Sequence, residues 1–337
     1  MKVLVTGGIG AVGKAVVERL LQDGWDVRVI DRKPETEMSG VDYQVCDITN
    51  YLDVREKMRG CQAVVHLAAI PNPIAVAGPE LFPINVTGAY NIFEAAADEG
   101  IQRLVQASSI NAFGCFWGNR ELEVDYFPID EAHRTYTTDA YSFSKELVED
   151  IGAYYWRRAG ISSLAMRFPG VWSRERIASP EVRQRRDQAR AAIDEFAAQP
   201  EVVRSARLAD LQQATQTFRA QKHMEYAPGQ TGIKRDGFSD DPLWPVYAFE
   251  RFNFWAYVDE RDAAQSMAKG LTANFEGAHA LFINAENNSL GYDSTALIKL
   301  FFPDVMQRKQ PLAGAESLVS IAKARSLIGY APEYRLD

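Results

Sequence analysis

A tyrosine and a lysine stand four residues apart in the segment Tyr141-Ser-Phe-Ser-Lys145, which has helical character. On an α-helix this spacing places both side chains on one face, one turn apart, so the ammonium group lies near the phenol. A nearby positive charge favours the phenolate, lowers the pKa of the tyrosine and makes it a usable proton shuttle. The same spacing also occurs in surface helices without chemistry, so the elements around it decide its meaning.

A glycine-rich turn lies near the start of the chain, between a predicted strand and a predicted helix. The strand Val3–Thr6 leads into Gly7-Gly-Ile-Gly-Ala-Val-Gly13 and then into a helical run over 14–23. In a dinucleotide-binding turn the first glycine permits the tight turn, the second lets the backbone approach the pyrophosphate, and the third lets the helix pack on the sheet. The phosphates would bind at the positive end of the helix, which starts near Ala11.

A second predicted strand, over 25–30, ends in Asp31. A carboxylate at this position is placed to hydrogen-bond the ribose hydroxyls and would repel a 2′-phosphate, so the sequence favours NAD over NADP. The neighbouring Arg32 and Lys33 argue in the opposite direction. The strand, turn, helix, strand and acid together predict an NAD-binding α/β unit.

The alternation of strands and helices continues along the chain. Further strands are predicted over 43–47, 63–67 and 104–109, with helices over 51–59 and 85–99 between them. Strands that alternate with helices in this way are typical of a parallel sheet. The ligands of such open sheets bind outside the carboxyl ends of the strands, so residues at those ends are candidates for the site.

Several of these strand ends carry polar or small residues. Asp47 and Ile48 are placed to meet the adenine, and the small residues that follow His66 leave room for a cofactor against the backbone. His66 itself is predicted to be a packed strand-end residue and not a catalyst. Ser108 and Ser109 end the fifth strand, where a serine is a candidate for the site and not merely a cap.

These segments, taken together, resemble an extended short-chain dehydrogenase/reductase of the NAD-dependent epimerase/dehydratase type. The resemblance covers most of the chain in the family's order, apart from about Ser173 to Phe252. Its motifs are Thr6–Gly13, His66–Ala69, Asn85–Asn91, Ser108–Ser109 with Phe113–Gly114, Pro128–Glu131, Tyr141–Lys145, Arg167–Val171, Tyr257–Asp259 and Ala322–Tyr330.

The resemblance implies roles for individual residues. Tyr141 would act as the general acid/base on a substrate hydroxyl or carbonyl, and Lys145 would depress the pKa of this tyrosine and bond the nicotinamide ribose. Ser109 would hold the substrate oxygen for hydride exchange, and Asn85 would help to order the site. The residues predicted to contact NAD are Gly7, Gly10, Ala11, Val12, Gly13, Asp31, Arg32, Asp47, Ile48, Leu67, Ala68, Ala69, Asn85, Tyr141, Lys145, Pro169 and Val171.

The residues after the catalytic serine depart from the family's dehydratases. Those enzymes carry an Asp-Glu pair there, whereas this chain has Ile110-Asn111, so dehydration is not expected. Asp130-Glu131 lies on another stretch and is expected to order a loop. The candidate substrate contacts are Ser109, Asn111, Arg174 and Tyr257.

Two segments leave alternatives open. The aromatic residues of the run 112–126 could cover a sugar ring or an apolar ligand, or could pack under their own loop. The unmatched region 173–253 predicts two or three amphipathic helices over 174–222, followed by a loop. Its arginines could clamp a phosphate or a carboxylate, or could form a solvated face. Arg174 is the first candidate because it soon follows a sixth predicted strand, over 163–168. The residues concerned are Phe113, Phe116, Trp117 and Tyr126, and Arg174, Arg176, Arg183, Arg185 and Arg186.

Composition excludes several classes of protein. A net charge of −8 and a pI near 5.2 over 337 residues argue against a nucleic-acid-binding surface. Cys46, Cys61 and Cys115 are odd in number and lack CxxC spacing, so neither a metal site nor a disulfide framework is predicted, and a reducing, cytoplasmic compartment fits best. No apolar run approaches the roughly 20 residues that span a bilayer, so no membrane insertion is expected.

The predicted fold is α/β, a Rossmann-type doubly wound parallel sheet with a smaller C-terminal α/β lobe. Residues 1–172 would bind NAD and carry the catalytic residues, 173–253 would form a helical insertion or lid, and 254–337 would form the substrate lobe. By the resemblance, helices from about Val86 and Tyr141 would pair across a two-fold axis in a homodimer.

The expected activity is hydride transfer at a hydroxyl carbon of a sugar or nucleotide sugar. An epimerase would keep NAD bound and return the hydride to the other face, whereas a dehydrogenase of free sugars or uronates would exchange NAD with solvent. Reduction of an apolar alcohol or ketone would depend on the aromatic loop alone. An NAD-sensing regulator is the alternative from another class, but such a module need not keep Ser109, Tyr141 and Lys145.

Overall fold

The apolar, β-branched runs of the sequence form one parallel sheet. In the computed structural model, which describes residues 1–34 and 36–336, seven strands lie in the order β10-β7-β5-β4-β1-β2-β3. All neighbouring pairs in this sheet are parallel, and the strand order reverses between β1 and β4. The predicted doubly wound Rossmann-type sheet is therefore confirmed. Its strands are β1 Lys2–Thr6, β2 Asp26–Asp31, β3 Asp42–Val45, β4 Ala63–His66, β5 Arg103–Ser109, β7 Ser162–Phe168 and β10 Ala278–Phe282.

Four shorter strands lie outside the main sheet. They form two parallel pairs, β6 with β11 and β8 with β9. Their bounds are β6 Tyr126–Phe127, β8 Gly170–Trp172, β9 Tyr257–Asp259 and β11 Gln307–Arg308.

Helices cover both faces of the sheet. Because successive strand residues point to opposite faces, Val3 and Val5 pack with α1 and α8 on one side, whereas Leu4 packs with α2 and α3 on the other. The helices are α1 Ala11–Gln22, α2 Tyr51–Met58, α3 Gly78–Asp98, α4 Ala140–Ala159, α5 Arg174–Ala178, α6 Pro180–Ala197, α7 Glu201–Ala220, α8 Glu260–Thr272, α9 Ser294–Phe301 and α10 Ala322–Ile328.

One helix begins earlier than the sequence pattern predicts. Asn85 was expected to open the third helix, but α3 starts at Gly78 and places Asn85 two turns inside. Pro79 lies in the first turn, where its missing N–H is not required. Pro83 lies inside the helix, although a proline at an interior position usually ends or kinks a helix.

The C-terminal region contributes directly to the main sheet. Strand β10 pairs with β7 as an edge strand of the sheet, and α8 packs in the same apolar cluster as α1. The predicted boundary at residue 254 therefore does not separate the nucleotide-binding sheet from the C-terminal residues, because the sheet needs β10 for its seventh position. That the remaining C-terminal segments serve the substrate stays a prediction.

The unmatched region folds as helices, as its periodicity predicts. Helices α5, α6 and α7 cover 174–220, and a π-helix, Val246–Glu250, and a 3₁₀ turn, Arg251–Asn253, close the region. Ile193 and Phe196 of α6 pack with Phe218 of α7, Trp255 and Phe301 in a second apolar core. The insertion is thus held by an apolar core that it shares with the C-terminal region, while its action as a lid stays a prediction.

Candidate active site

The glycine turn and the strand ends beside it enclose a groove of about 360 Å³. Twelve of the residues predicted to contact NAD line it, and Ile30, Cys46, Ile70, Pro71 and Ile84 line it in addition. The twelve are Gly7, Gly10, Ala11, Val12, Gly13, Asp31, Arg32, Asp47, Ile48, Leu67, Ala68 and Ala69.

The turn is shaped to receive a pyrophosphate. A Cβ on Gly13 would lie 2.3 Å from the Gly7 carbonyl oxygen, so a glycine is needed for α1 to approach the turn. A Cβ on Gly10 would meet nothing nearer than 3.3 Å, which leaves its position open toward the groove. Among the residues that the structure describes, no side chain caps the N-terminus of α1, so the N–H groups of its first turn remain available to an anion. These residues fit a dinucleotide.

Asp31 ends β2 at the rim of this groove. Its Oδ1 accepts a hydrogen bond from the Lys33 backbone N–H over 3.3 Å, and both Asp31 and Arg32 line the groove. The carboxylate is therefore present where the ribose hydroxyls of NAD would need an acceptor. Cys46 lies at the same end, where burial raises the pKa of its thiol to about 12. Cys46 is not predicted as a groove residue, because a cysteine in a sequence does not by itself indicate a nucleotide-binding site.

His66 has a structural place at the end of β4. Its Nδ1 lies 2.7 Å from Thr6 Oγ1, and the same hydroxyl oxygen accepts hydrogen bonds from the Leu67 and Ala68 N–H groups. Burial lowers the pKa of His66 to about 3, so the ring is neutral. The expectation of a packed strand-end histidine agrees with this position.

Tyr141 and Lys145 occupy one face of α4, at its N-terminal end. Asp139 begins this helix by accepting a hydrogen bond from the Ser142 N–H over 2.8 Å, which fixes where Tyr141 stands. The Lys145 Nζ lies 6.0 Å from the Tyr141 ring centroid and donates to the Ala107 carbonyl over 2.8 Å. Both side chains are buried. The structure thus places the two side chains on one helix face, one turn apart, as their spacing in the sequence predicts.

Ser109 ends β5 beside the phenol. Its Oγ accepts hydrogen bonds from the Asn111 backbone N–H over 3.1 Å and from Asn111 Nδ2 over 3.4 Å. The hydroxyl is also hydrogen-bonded with Tyr141. The structure therefore brings Ser109, Tyr141 and Lys145 together where two of the three predicted side chains share a hydrogen bond.

The sequence predicts a lowered pKa for Tyr141, but in the structure this pKa is raised. Burial raises the pKa of Tyr141 to about 12, and the hydrogen bond from Ser109 offsets only part of that rise. Burial also lowers the pKa of Lys145 to about 8, against the opposing effect of Glu149. The sequence predicted the separation of the two groups correctly but not their desolvation, which outweighs the attraction between them.

A set of buried polar contacts holds these residues in place. The Asn85 side chain accepts from the Ile70 N–H over 2.7 Å and donates to Ser144 Oγ over 3.0 Å, which ties α3 to α4. One turn after Lys145, Glu149 accepts from Ser108 Oγ over 2.6 Å and forms a two-pronged bond with Arg167. These bonds link α3, α4 and the end of β5, while the role of Asn85 in ordering the site stays a prediction.

A second cavity, the catalytic cavity, begins where the nucleotide groove ends. It has a volume of about 400 Å³, and Pro71 lines both spaces. Ser109, Asn111, Tyr141 and Pro169 line the catalytic cavity on the side of the sheet. Asn111 Oδ1 accepts from the Phe116 N–H over 3.0 Å and so orders the aromatic loop as well.

The wall opposite these residues is aromatic and basic. Phe116 and Trp117 of the aromatic loop line the cavity, whereas Phe113 is fully buried beneath it and Tyr126 bonds Asp130 Oδ1 over 2.7 Å. Phe113 and Tyr126 are thus buried, whereas Phe116 and Trp117 line the cavity. That these two cover a sugar ring or an apolar ligand stays a prediction. Further wall residues include Trp172 at the end of β8, and residues of the insertion and the C-terminal region: Arg176, Arg185, Arg186, Phe249, Glu250 and Trp255.

Two predicted substrate contacts lie elsewhere. Arg174 forms ion pairs with Glu18 and Glu260, each over 3.4 Å, and does not line the cavity. The Tyr257 hydroxyl accepts from the Leu336 N–H over 3.0 Å, and Tyr257 is fully buried under Trp172. Arg174 was chosen for its closeness to the sixth strand along the chain, but Arg176 faces the cavity instead.

A glycine turn at the first strand of a doubly wound sheet, a serine at the end of β5 and a tyrosine and lysine on α4 beside it together define a protein of the short-chain dehydrogenase/reductase class. The sequence pattern of the NAD dependent epimerase/dehydratase family matches residues 3–205, more than half of the chain. The chain belongs to this family.

The chain is similar in sequence to several proteins of known name, among them two dehydrogenases. The chain is 31% identical over 176 residues to the NAD-dependent glucose-6-phosphate dehydrogenase of Haloferax volcanii, a match that covers 49% of this chain and 66% of that protein. It is 27% identical over 169 residues to the uronate dehydrogenase of Pseudomonas putida, covering 49% of this chain and 59% of that one. The chain thus spans less than two thirds of the length of these relatives.

Among solved structures, the fold is similar to that of UDP-glucose 4-epimerase from Thermotoga maritima. The TM-score is 0.61 at 18% identity, and the match covers 100% of this chain and 95% of that one. Within the described part of the chain, none of the helices has both the length and the apolar character needed to cross a membrane.

Proposed function

We propose that this protein is an NAD-dependent oxidoreductase that acts on a hydroxyl carbon of a sugar bearing an acidic group. One observation carries the proposal: Ser109 and Tyr141 line a cavity that adjoins the nucleotide groove and is also lined by three arginines. The first pair suits hydride chemistry at a carbinol, and the arginines suit an anion.

The cofactor is proposed to be NAD. The groove residues Gly10, Ala11 and Asp31 would hold its pyrophosphate and ribose, and the Asp31 carboxylate disfavours a 2′-phosphate. Lys145 would reach the nicotinamide ribose. When bound, NAD⁺ supplies the hydride acceptor and an added positive charge.

The protein's own groups would position the substrate and move its proton. The Ser109 Oγ accepts from Asn111, so its proton is left to donate either to Tyr141 or to a substrate oxygen. The Tyr141 oxygen, once deprotonated, would accept the hydroxyl proton of the substrate as the C–H bond is broken. Lys145 stabilises the phenolate form at that moment because it lies one helical turn away.

The arginines favour an anionic substrate over a neutral one. Burial lowers the pKa of Arg176. The positive charge of Arg185 lowers it further, because the two guanidinium groups repel each other. Glu250 is a carboxylate that lines the same cavity as these arginines. Burial raises its pKa to about 7, although the positive charge of Arg185 acts in the opposite direction. A phosphate or carboxylate would relieve this repulsion and accept paired hydrogen bonds from guanidinium groups.

The size of the cavity favours a compact sugar acid or sugar phosphate. A volume of about 400 Å³ is near the lower end for small-molecule sites, and the names of the two relatives refer to substrates of this class. Dehydrogenation of such a sugar is therefore the first candidate.

Epimerisation of a nucleotide sugar is the second candidate, and one observation favours it. A further cavity, of about 1190 Å³, is lined by Arg185, Phe249 and Glu250, which line the catalytic cavity as well. Movement of these shared side chains would join the two spaces and admit a nucleotide.

The deciding experiment measures NADH formation by purified protein with uronates, hexose phosphates, nucleotide sugars and neutral aldoses. Sustained NADH formation with the acidic monosaccharides supports dehydrogenation. Interconversion of nucleotide sugars with tightly retained NAD and no net NADH supports epimerisation. NAD binding without turnover of any sugar would contradict both and favour an NAD-sensing module.

A homodimer and a cytoplasmic location complete the proposal. Helices α3 and α4 pack side by side and expose Tyr90, Phe143 and Tyr154, each by about two fifths of its surface. Exposed aromatic residues on adjacent helices suit a pairing of two copies. The three cysteines are buried and free, as suits a reducing compartment.

A further inference from the structure

A polar cavity of about 760 Å³ lies apart from the proposed active site and shares no lining residue with the catalytic cavity. Its walls come from four segments: the loop 119–124, the second half of α7, the π-helix with the following turn, and residues 301–305. We call it the arginine cavity, because Arg219 and Arg251 line it.

Both of these arginines are buried, Arg219 to 2% and Arg251 to 4% exposure. Their guanidinium carbons lie 3.8 Å and 4.2 Å from the centroid of the Phe252 ring, which stacks with both. Two buried cations that share one aromatic ring are costly unless anions neutralise them.

Within the described part of the chain, Arg251 hydrogen-bonds a carboxylate and Arg219 does not. Arg251 Nη2 donates to Glu121 Oε1 over 2.7 Å, whereas Arg219 Nη1 donates to the Gly118 carbonyl over 2.7 Å. Among the described residues, nothing accepts a hydrogen bond from Arg219 Nε or Nη2, although both atoms are buried. Glu121 and Asp139 act on Arg219 only through space, and burial lowers the pKa of its guanidinium to about 10.

We propose that the arginine cavity binds a ligand with a phosphate or carboxylate group, held by Arg219 and Arg251, and that this ligand regulates the catalytic cavity. Tyr247, Phe301 and Phe302 give the cavity an apolar side for the body of the ligand. Guanidinium groups recognise both kinds of oxyanion through paired hydrogen bonds.

The two arginines belong to segments that also form the catalytic cavity. Gly118, which Arg219 holds, directly follows Trp117, and Arg251 directly follows Glu250. Trp117 and Glu250 both line the catalytic cavity. An anion that binds these guanidinium groups therefore affects two walls of the proposed substrate site.

The test uses the exposed residue Gln216, which lies on α7 at the rim of the arginine cavity. Inorganic phosphate and benzoate are titrated separately into the whole protein by calorimetry. Gln216→Glu should weaken binding and Gln216→Lys should strengthen it, each by about threefold to tenfold for a nearby exposed charge. Gln213→Glu, exposed on the same helix but outside the cavity, is the matched control and should change nothing.

A variant in each cavity separates the two sites. Arg219→Gln should abolish binding at the arginine cavity while any binding at the catalytic cavity remains, and if this variant fails to fold, the Gln216 pair still tests the arginine cavity. Arg185→Gln, in the catalytic cavity, should leave binding at the arginine cavity intact. The tighter of the two probes assigns the ligand as phosphate-bearing or carboxylate-bearing, and the same probe should shift the KM of the wild type at a lower concentration than it shifts the KM of Gln216→Glu.

Three results would overturn the proposal: no saturable binding of either probe, equal effects of the substitutions at 213 and 216, or loss of binding with Arg185→Gln alone. The binding measurement needs no substrate, so it stands even if the proposed activity is not found.

Discussion

Replacing Arg185 by glutamine tests whether the catalytic cavity recognises an anion. Arg185 lines the cavity from α6 and faces Arg176 and Glu250 there. The substitution keeps a hydrogen-bonding side chain on an exposed helix position but removes one positive charge. We therefore expect the fold to be retained and the affinity for an acidic sugar to fall.

The expected size follows from the exposure of the side chain. Hydrogen bonds to charged groups contribute about 1.5–3 kcal/mol, and the lower end applies because more than a third of Arg185 is exposed to screening solvent. About 1.5 kcal/mol corresponds to roughly a tenfold rise in KM. The value of kcat should change little, because the anion is bound equally in the ground state and the transition state.

The assay compares KM and kcat for an acidic sugar and a neutral sugar of the same ring. Arg174→Gln is the matched control, since Arg174 lies on the neighbouring helix α5 and pairs with Glu18 and Glu260 outside the cavity. An equal rise in KM for both sugars, or an equal effect of the two substitutions, would refute the assignment of Arg185 to the anion.

Three further outcomes are expected. Tyr141→Phe should lower kcat by about 10²-fold or more, because the proton acceptor is lost, while NAD binding measured by calorimetry stays; unchanged turnover would remove Tyr141 from the chemistry. The pKa of Lys145 is lowered to about 8 from 10.5, so the unfolded chain binds more protons between these values and stability rises with pH through that window. Lys145→Met should consequently exceed the wild type in denaturant stability at neutral pH by at most about 3 kcal/mol, and a gain that does not shrink above pH 8 would contradict the assigned burial cost. Gly13→Ala should destabilise the fold, because its Cβ would lie 2.3 Å from the Gly7 oxygen, whereas Gly10→Ala should keep thermal stability and lose NAD affinity; similar melting temperatures for the two variants would count against this account of the turn.

Much of the nucleotide half could be predicted because its signals are local. The glycine turn, Asp31 and the strand ends act through backbone geometry, so their order along the chain determines where they meet at the edge of the sheet. The sequence predicts the third helix from Asn85, whereas α3 begins at Gly78, seven residues earlier, with Pro79 in its first turn, where proline is tolerated. The pKa of Tyr141 was also missed, because spacing along a helix reports a distance and not the burial of the phenol.

The substrate side could not be predicted to the same depth, because its walls come from distant segments. Arg174 and Arg176 are two residues apart, yet one faces Glu18 on α1 and the other faces the catalytic cavity. On a helix two residues correspond to about half a turn, so a shift of that size reverses the side that a residue presents. The sequence offered five arginines as candidates, of which Arg176, Arg185 and Arg186 line the catalytic cavity. That they bind an anion stays a prediction.

This separation between the two halves has a consequence for specificity. Ser109 and Tyr141 depend on β5 and α4, which the sheet holds, whereas Arg185 and Glu250 depend on α6 and the π-helix, which a second core holds. A change in the second core can therefore alter which sugar is bound without moving the groups that exchange the proton. Substitutions in α6 should accordingly change KM and the order of preferred substrates, whereas substitutions at the ends of β5 and α4 should change kcat for every substrate alike. A variant of α6 that lowered kcat equally for acidic and neutral sugars would show that the two halves are coupled, and would place the insertion within the catalytic machinery itself.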